Sequence, residues 1–384
     1  MVPFEIACTN CQRKYPEQGL PYRCPVCGGI YDYSTRWEYD PRLMDNQQPG
    51  IWRYRAGFGL DANAEPVSLG EGSTPLLWAE VFGRQIAFKC EYQNPTGSFK
   101  DRGSAVLAGW LKVRGISEVV EDSSGNAGAS LAAYCQRAGI RARIHIPASA
   151  AGPKRRQIEA LGAELVPVSG RRSDVAEAVK REAEKGVVYA SHAYLPHNLP
   201  GYATAAYEIH AQLGNQMPGT VIVPAGQGGL LLGLMRGFDT LRIAIIQHED
   251  LKESERQPVM PAIIGVQARA CAPLWAAAQA GLEGLGFVAE NRTLAEGVLV
   301  RHPVRLEAIL DGLTRANAGP SRRGLMSMCA VDEQEILPGR DALARLGFYV
   351  EPTSALVWSA LTQVLADAPD PIVVILTGSG SKYE

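Results

Sequence analysis

Beyond residue 115 the chain alternates short apolar runs with stretches of helical spacing. Val119-Val120, Ala142-Arg143-Ile144-His145-Ile146, Glu164-Leu165-Val166-Pro167-Val168 and Val187-Val188-Tyr189-Ala190 are each short enough for buried strands. Helical patterns lie between them at about 129–138, 154–162 and 174–185. Strands alternating with helices of these lengths predict a right-handed parallel α/β sheet. A second series, with strands near 220–225, 262–267, 325–331 and 371–376 and helices near 229–236, 304–313 and 353–366, predicts another, larger domain. The stretch Glu249–Gln257 is polar apart from Leu251 and reads as a surface excursion. No internal repeat or low-complexity tract interrupts the pattern.

Composition narrows the class without naming it. A chain of 384 residues, 46% hydrophobic and 20% charged, can bury one or two substantial cores with room for an appended module. A formal charge of −2 gives no general attraction to nucleic acid or to an anionic membrane. No apolar stretch is long enough to span a bilayer, and the N-terminus lacks the basic-then-apolar pattern of a signal peptide, so a cytoplasmic protein is expected.

Four of the eight cysteines form a metal-binding pattern. Cys8-x2-Cys11 and Cys24-x2-Cys27, twelve residues apart, supply two thiolate pairs that can close a tetrahedral zinc site, with Gly28-Gly29 helping the second knuckle to turn. Four cysteines leave no open coordination position, so the metal would staple roughly residues 5–33 and would not catalyse. Cys90, Cys135, Cys271 and Cys329 lie among apolar residues and read as inert core. With only Arg13, Lys14 and Arg23 as cations, the ribbon suits docking or protein contact better than nucleic acid. Tyr31 to Gly57, rich in aromatic and charged residues, would lead from the ribbon into the body.

Candidate chemistry centres on Pro95-Thr96-Gly97-Ser98-Phe99-Lys100-Asp101-Arg102-Gly103, which sets one lysine between a glycine turn and a helix start. A lysine works as a nucleophile toward a carbonyl only when its amine loses its proton, so it needs a partly desolvated or cation-rich pocket. Alone, Lys100 would read as a solvated first-turn residue; two other loops change that. Ser123-Ser124-Gly125-Asn126-Ala127-Gly128 joins an apolar run to a helical pattern and can aim backbone N–H groups at a carboxylate. Gly226-Gln227-Gly228-Gly229 follows Val221-Ile222-Val223-Pro224-Ala225 and has the composition of a phosphate cradle.

These segments together resemble the fold-type II pyridoxal-phosphate enzymes, the family of threonine synthase, threonine dehydratase and cysteine synthase. Leu69-Gly70-Glu71-Gly72-Ser73-Thr74-Pro75-Leu76 is similar to a threonine synthase motif, and Gly97–Gly103 to the segment bearing the Schiff-base lysine. Glu351-Pro352-Thr353-Ser354-Ala355 and Leu376-Thr377-Gly378-Ser379-Gly380 resemble the family's C-terminal segments. The likeness covers roughly residues 65–384 in the family's order.

The resemblance implies a two-domain α/β fold of the tryptophan synthase β type with parallel sheets, to which the cysteine spacing adds an N-terminal zinc ribbon. Its divisions would be a ribbon at 1–40, a small α/β domain at 92–195, and a large cofactor-binding domain from 41–91 and 196–384. It implies pyridoxal 5'-phosphate carried by Lys100, the lysine also acting as catalytic base. Phe99, Asn126, Gly226, Gln227, Gly228, Gly229 and Thr377 would hold the cofactor, with Asn126 on the ring hydroxyl, the glycine loop on the phosphate and Thr377 on the pyridine nitrogen. Ser123, Ser124, Gly125, Asn126 and Ala127 would hold the substrate carboxylate. Structural zinc would sit on Cys8, Cys11, Cys24 and Cys27, and the resemblance implies a homodimer acting on a small amino acid, with no nucleic-acid or membrane partner.

Three activities stay open. The first is a threonine-synthase-like lyase that eliminates phosphate from O-phosphohomoserine and adds water. The second is a deaminating or β-replacing relative, such as a serine or threonine dehydratase, a diaminopropionate lyase or a sulfur-transferring synthase. The third is a non-catalytic binding protein. Threonine synthases are expected to carry an Asn-Ser-x-Asn-Pro-x-Arg run near 190–205, whereas this chain reads Ala190-Ser191-His192-Ala193-Tyr194-Leu195-Pro196-His197-Asn198-Leu199-Pro200-Gly201-Tyr202. His192 and His197 could contact an acid group there, although a histidine in such a loop is more often a polar surface residue. Lys154, Arg155 and Arg156, at consecutive helical positions, read as a solvated face.

Overall fold

The computed structural model describes residues 5–150, 152–170, 172–247, 258–317 and 326–383; the polar stretch Glu249–Gln257 lies outside these. In chain order the strands are β1 (Ile6–Cys8), β2 (Tyr31–Tyr33), β3 (Leu76–Val81), β4 (Arg84–Lys89), β5 (Glu118–Glu121), β6 (Arg141–Pro147), β7 (Glu164–Val168), β8 (Val188–Tyr189), β9 (Thr220–Pro224), β10 (Ala262–Ala268), β11 (Ser327–Val331) and β12 (Ile372–Ile375). The α-helices are α1 (Lys100–Val113), α2 (Asn126–Ala138), α3 (Pro153–Ala160), α4 (Arg172–Glu184), α5 (Leu199–Gln212), α6 (Gly229–Ile246), α7 (Pro273–Ala280), α8 (Leu306–Asn317), α9 (Glu333–Arg345) and α10 (Pro352–Val364).

Two compact units emerge. One comprises Met1–Gly72, Asn94–Tyr202 and Lys382–Glu384, the other Ser73–Gln93 and Ala203–Ser381. Residues 41–72, expected with the larger domain, cluster in the first unit.

In the first unit β7-β6-β5-β8 form an all-parallel sheet. Its core packs Val119, Ile144 and Ile146 against Leu107 and Leu111 of α1 and Ala129, Ala132 and Cys135 of α2. Each of these valine, leucine and isoleucine side chains contributes roughly 1.5–3 kcal/mol on full burial. The N-terminal module is a β1–β2 antiparallel pair running from Ile6 opposite Tyr33 to Cys8 opposite Tyr31. Leu20 enters the same core, Tyr15 packs edge-on against Tyr31 and His197, and Arg114 donates to the carbonyls of Pro16 and Glu17. The module is therefore docked on this unit.

The second unit holds a six-stranded sheet in the order β11-β10-β9-β12-β4-β3. All pairs are parallel except β3–β4, an antiparallel hairpin closed at Val81–Arg84 by Phe82 and Gly83, both at positive φ. Two consecutive left-handed residues make a turn whose twist matches that of the strands. The hairpin carries no Asn-Gly signal, which is why the pattern of apolar runs did not reveal it. Helix α6 runs to Ile246, ten residues beyond the expected end, because Phe238 and Leu241 continue the buried stripe and Asp239 pairs with Arg242 at 2.8 Å.

Candidate active site

Lys100 opens α1, directly after a turn in which Gly97 takes φ +83° and its N–H donates to Asn94 O at 2.7 Å. Its Nζ lies 4.9 Å from the centroid of the Phe99 ring, a face that favours a cation. The next residue, Asp101, is fully buried. It accepts hydrogen bonds from Thr96 N, Thr96 Oγ1 and Ser130 Oγ, each at 2.6 Å. Burial pushes its carboxyl up to about 6, against those three donors and Lys382, which favour the charged form.

The Ser123–Ala127 loop leaves the carboxyl end of β5 and turns into α2 at Asn126. Gly128 makes the turn possible, since a Cβ there would collide with Ser123 O. Ser123 Oγ accepts from Gly125 N at 3.3 Å. The first-turn N–H groups of α2 have no intrahelical acceptor and form a region of partial positive charge.

In the second unit, β9 and β12 are neighbours in parallel, so the loops after them share the carboxyl edge of the sheet, where open α/β sheets place their ligands. After β9, Gly226-Gln227-Gly228-Gly229 leads into α6. Gly228 sits at φ +82°, and a Cβ on it would run into Ile309 Cδ1. Gln227 Oε1 accepts from Val304 N at 3.1 Å, and Ala225 O from Gln267 Nε2 at 3.0 Å, fixing the loop from both flanks. After β12, Thr377 N donates to Ser354 Oγ at 2.8 Å. Its own Oγ1 is buried and has no hydrogen-bond partner among the described residues.

The two histidines fare differently. His197 is fully buried against the rings of Tyr15 and Trp110, so it belongs to the core and is neither a surface residue nor an open acid-binding group. His192 is mostly covered, and its Nδ1 lies 2.7 Å from Oε1 of the buried Glu121. Arg155 faces Glu159 and Ala150 O, in keeping with a surface helix. Sequence reasoning missed Asp101 and Glu121 as buried anchors. It also missed Glu71, whose carboxylate accepts from Trp52 Nε1 at 2.6 Å, Tyr134 OH at 2.7 Å and Leu69 N at 2.9 Å. A charged residue inside an otherwise small or apolar motif was the available signal for all three.

The sulfurs of Cys8, Cys11, Cys24 and Cys27 lie within 4.8 Å of one another, with Cys8–Cys27 at 3.4 Å and Cys11–Cys24 at 3.7 Å. The backbone N–H of Val26 lowers the Cys24 thiol to about 6. The other four cysteines are buried, and burial pushes Cys135 up to about 12 and Cys90 and Cys329 to about 11, in line with inert core. Of the cations in the N-terminal module, Lys14 pairs with Glu5 and Arg23 stacks on Tyr194.

One unit thus carries a lysine at a helix start and a strand-to-helix loop, and the other a glycine loop and a buried hydroxyl at the carboxyl edge of its sheet. The family of pyridoxal-phosphate dependent enzymes matches this sequence over residues 67–378, and the chain belongs to that family. Among curated relatives, threonine synthase of Methanocaldococcus jannaschii is 31% identical, over 98% of this chain and 92% of its own. Threonine synthase of Methanosarcina acetivorans is 28% identical over 98% and 91%. Among solved structures, a threonine deaminase from T.th. superposes with a TM-score of 0.63 at 26% identity, covering 80% of this chain and 92% of that one. An L-serine ammonia-lyase from Rhizomucor miehei has the same fold, with a TM-score of 0.65 at 20% identity, over 81% and 94%. Among the described residues no helix is long and apolar enough to cross a membrane.

Proposed function

We propose that the protein is a threonine synthase, a lyase that converts O-phosphohomoserine to threonine and inorganic phosphate. The observation that carries this is the likeness to threonine synthases over 98% of the chain, which takes in the N-terminal cysteine module as well as the enzyme body. The residues suit the cofactor of the family. Thr377 offers a buried hydroxyl that lacks a partner among the described residues, and Gly228, at φ +82° and with Ile309 where a Cβ would stand, lets the loop turn into α6 with its backbone N–H groups uncovered by a side chain of its own. When bound, pyridoxal phosphate supplies an aldehyde that condenses with an amine and a conjugated ring that takes up the electron pair of a broken Cα–H bond.

The chain's own groups would then act as follows. Lys100 Nζ holds the cofactor at rest, yields its place to the substrate amine and takes the Cα proton as base. Asn126 donates from its side-chain amide to the ring hydroxyl oxygen. The N–H groups of Gly226, Gln227, Gly228 and Gly229 would bind the cofactor phosphate, and Phe99 would line the cofactor's site. Thr377 presents a neutral hydroxyl to the ring nitrogen, where a carboxylate would hold a proton on it. Ser123, Ser124, Gly125, Asn126 and Ala127 bind the substrate carboxylate through N–H and hydroxyl donors, fixing the Cα–H bond in one orientation.

A second reading has its own support: Ala190–Tyr202 contains no arginine or lysine, the residues best suited to a substrate phosphate. It is a serine or threonine dehydratase. Supplying the holoenzyme separately with O-phosphohomoserine, serine, threonine and phosphoserine, and assaying phosphate, threonine and ammonia, separates the two. Phosphate and threonine in equal amounts from O-phosphohomoserine are expected; ammonia with a 2-oxo acid from serine or threonine, and no threonine formed, would reject the first reading.

The cysteine cluster suits structural zinc. A tetrahedral Zn–S4 centre with bonds of about 2.3 Å puts its sulfurs about 3.8 Å apart, and the two closest pairs here are at 3.4 and 3.7 Å. A ribbon over residues 1–40, a homodimeric assembly and a cytoplasmic setting complete the proposal.

A further inference from the structure

Asp101 stands next to the cofactor lysine of the proposed function, yet no step there employs it. It is fully buried, in a place where an ionisable side chain is costly unless its hydrogen bonds are complete. Those bonds run to two elements. Oδ2 accepts from Thr96 N and Oδ1 from Thr96 Oγ1, which closes the Thr96–Lys100 loop onto the first turn of α1. Oδ1 also accepts from Ser130 Oγ, one turn of α2 beyond Asn126. The loop is held on its other side as well, since Thr96 O accepts from Lys382 Nζ at 2.6 Å and from Gln157 Nε2 at 3.1 Å. One carboxylate thus joins the helix start bearing Lys100 to the helix start bearing Asn126, and hydrogen bonds to a charged acceptor are the stiff, directional kind.

We propose that Asp101 is a positioning residue that sets Lys100 relative to the Ser123–Ala127 loop by pinning α1 to Thr96 and to Ser130 of α2. An amine that must both attack an aldehyde and remove a particular proton tolerates little displacement, and misplacement by about 1 Å can cost on the order of 100-fold in rate. The D101N change keeps the shape but removes the charge and one acceptor; an NH2 in place of Oδ1 keeps Thr96 Oγ1 and Ser130 Oγ only if both hydroxyls turn to accept from it, and bonds between neutral groups are weaker than those to a carboxylate. Ala at 130 removes only the link to α2.

The inference rests on Lys100 being the attachment site, so trapping in the parent protein comes first; an adduct elsewhere would sink both ideas at that step, before any variant is compared. The test then uses full-length protein stripped of cofactor and measures how fast added pyridoxal phosphate becomes borohydride-reducible on the Lys100 peptide, followed by kcat and KM of the reloaded enzyme. D101N is expected to attach cofactor at least about tenfold more slowly, and to lose about 10- to 100-fold in kcat with KM within about threefold. S130A should shift both in the same direction by less, and D101N/S130A should be no worse than D101N, because the two act through one bond. A clamp that served stability alone would lower melting temperature and leave attachment rate and kcat at parental values, which would overturn the proposal, as would losses that multiply in the double variant. If D101N does not fold, S130A decides: parental attachment rate and kcat in it refute the pin, and a loss in both upholds it.

Discussion

Thr377 Oγ1 is a buried hydroxyl without an acceptor or donor partner among the described residues, and such a group costs about 1–3 kcal/mol. A ring nitrogen would relieve that cost, so opposite effects follow for the two states of the protein. T377V, which keeps the shape and the Thr377 N–Ser354 bond, should melt about 2 °C or more above the parent when both lack cofactor, and bind pyridoxal phosphate about tenfold more weakly. A lower melting temperature of the cofactor-free variant, or unchanged affinity, would remove Thr377 from the site. Asp101 gives a pH signature at the same scale. Its neighbours are the Thr96 and Ser130 hydroxyls, Lys382, Tyr134 and Tyr202. Its folded value of about 6 lies above the ordinary 3.8, so between those pH values the folded state binds more protons than the unfolded state. Stability from this group is therefore greatest below pH 4, falls as pH rises to about 6 and is level above, by on the order of 3 kcal/mol in all. D101N should flatten the change in melting temperature between pH 5 and 7.5 relative to the parent; an identical change would contradict the assignment.

At the scale of elements, the apolar runs at 118–121, 141–147 and 220–224 were legible because strands largely buried in a parallel sheet need near-continuous aliphatic sequence, and the run at 164–168, an edge strand with no fully buried residue, showed through Leu165, Val166 and Val168. The β3–β4 hairpin was not, because its alternation is blurred: Leu77 and Trp78 are both largely exposed on an edge strand, and Phe82 occupies a turn position usually given to Asn or Gly. Only the start of α1 was read, and α5 was hidden altogether, for another reason. Small and polar residues such as Gly103, Ser104 and Thr204 are buried in them, so their apolar stripes do not stand out. The cysteine module is the opposite case, fully spelled by spacing. Its hydrophobic centre is little more than Cys8, Cys24 and Tyr31 with Ile6 and Tyr15, too small to hold a fold alone. Zinc removal by a strong chelator is expected to lower the melting temperature and to raise proteolysis within residues 5–33, with rescue by added zinc; an unchanged melting temperature would count against a structural metal.

Over the whole molecule, the places of the candidate site residues along strands and helices were more legible than the packing around them. Lys100, Asn126, the Gly226–Gly229 loop and Thr377 each stand at an end of a strand or the start of a helix, where glycines and a lone polar residue show against apolar sequence. What supports them was invisible, because Asp101, Glu121 and Glu71 each find a partner 29 to 71 positions away, beside any nearer ones, and no local pattern encodes such pairings. The division into Met1–Gly72 with Asn94–Tyr202, and Ser73–Gln93 with Ala203–Ser381, likewise depends on where the chain crosses between cores, which periodicity does not record. The central claim is that one amine, Lys100 Nζ, carries the cofactor, and borohydride reduction of the holoenzyme followed by peptide mapping tests it most directly. The account predicts a single pyridoxyl adduct on the peptide containing Lys100, absent in Lys100→Ala; an adduct on any other lysine, or none in the parent protein, would contradict it.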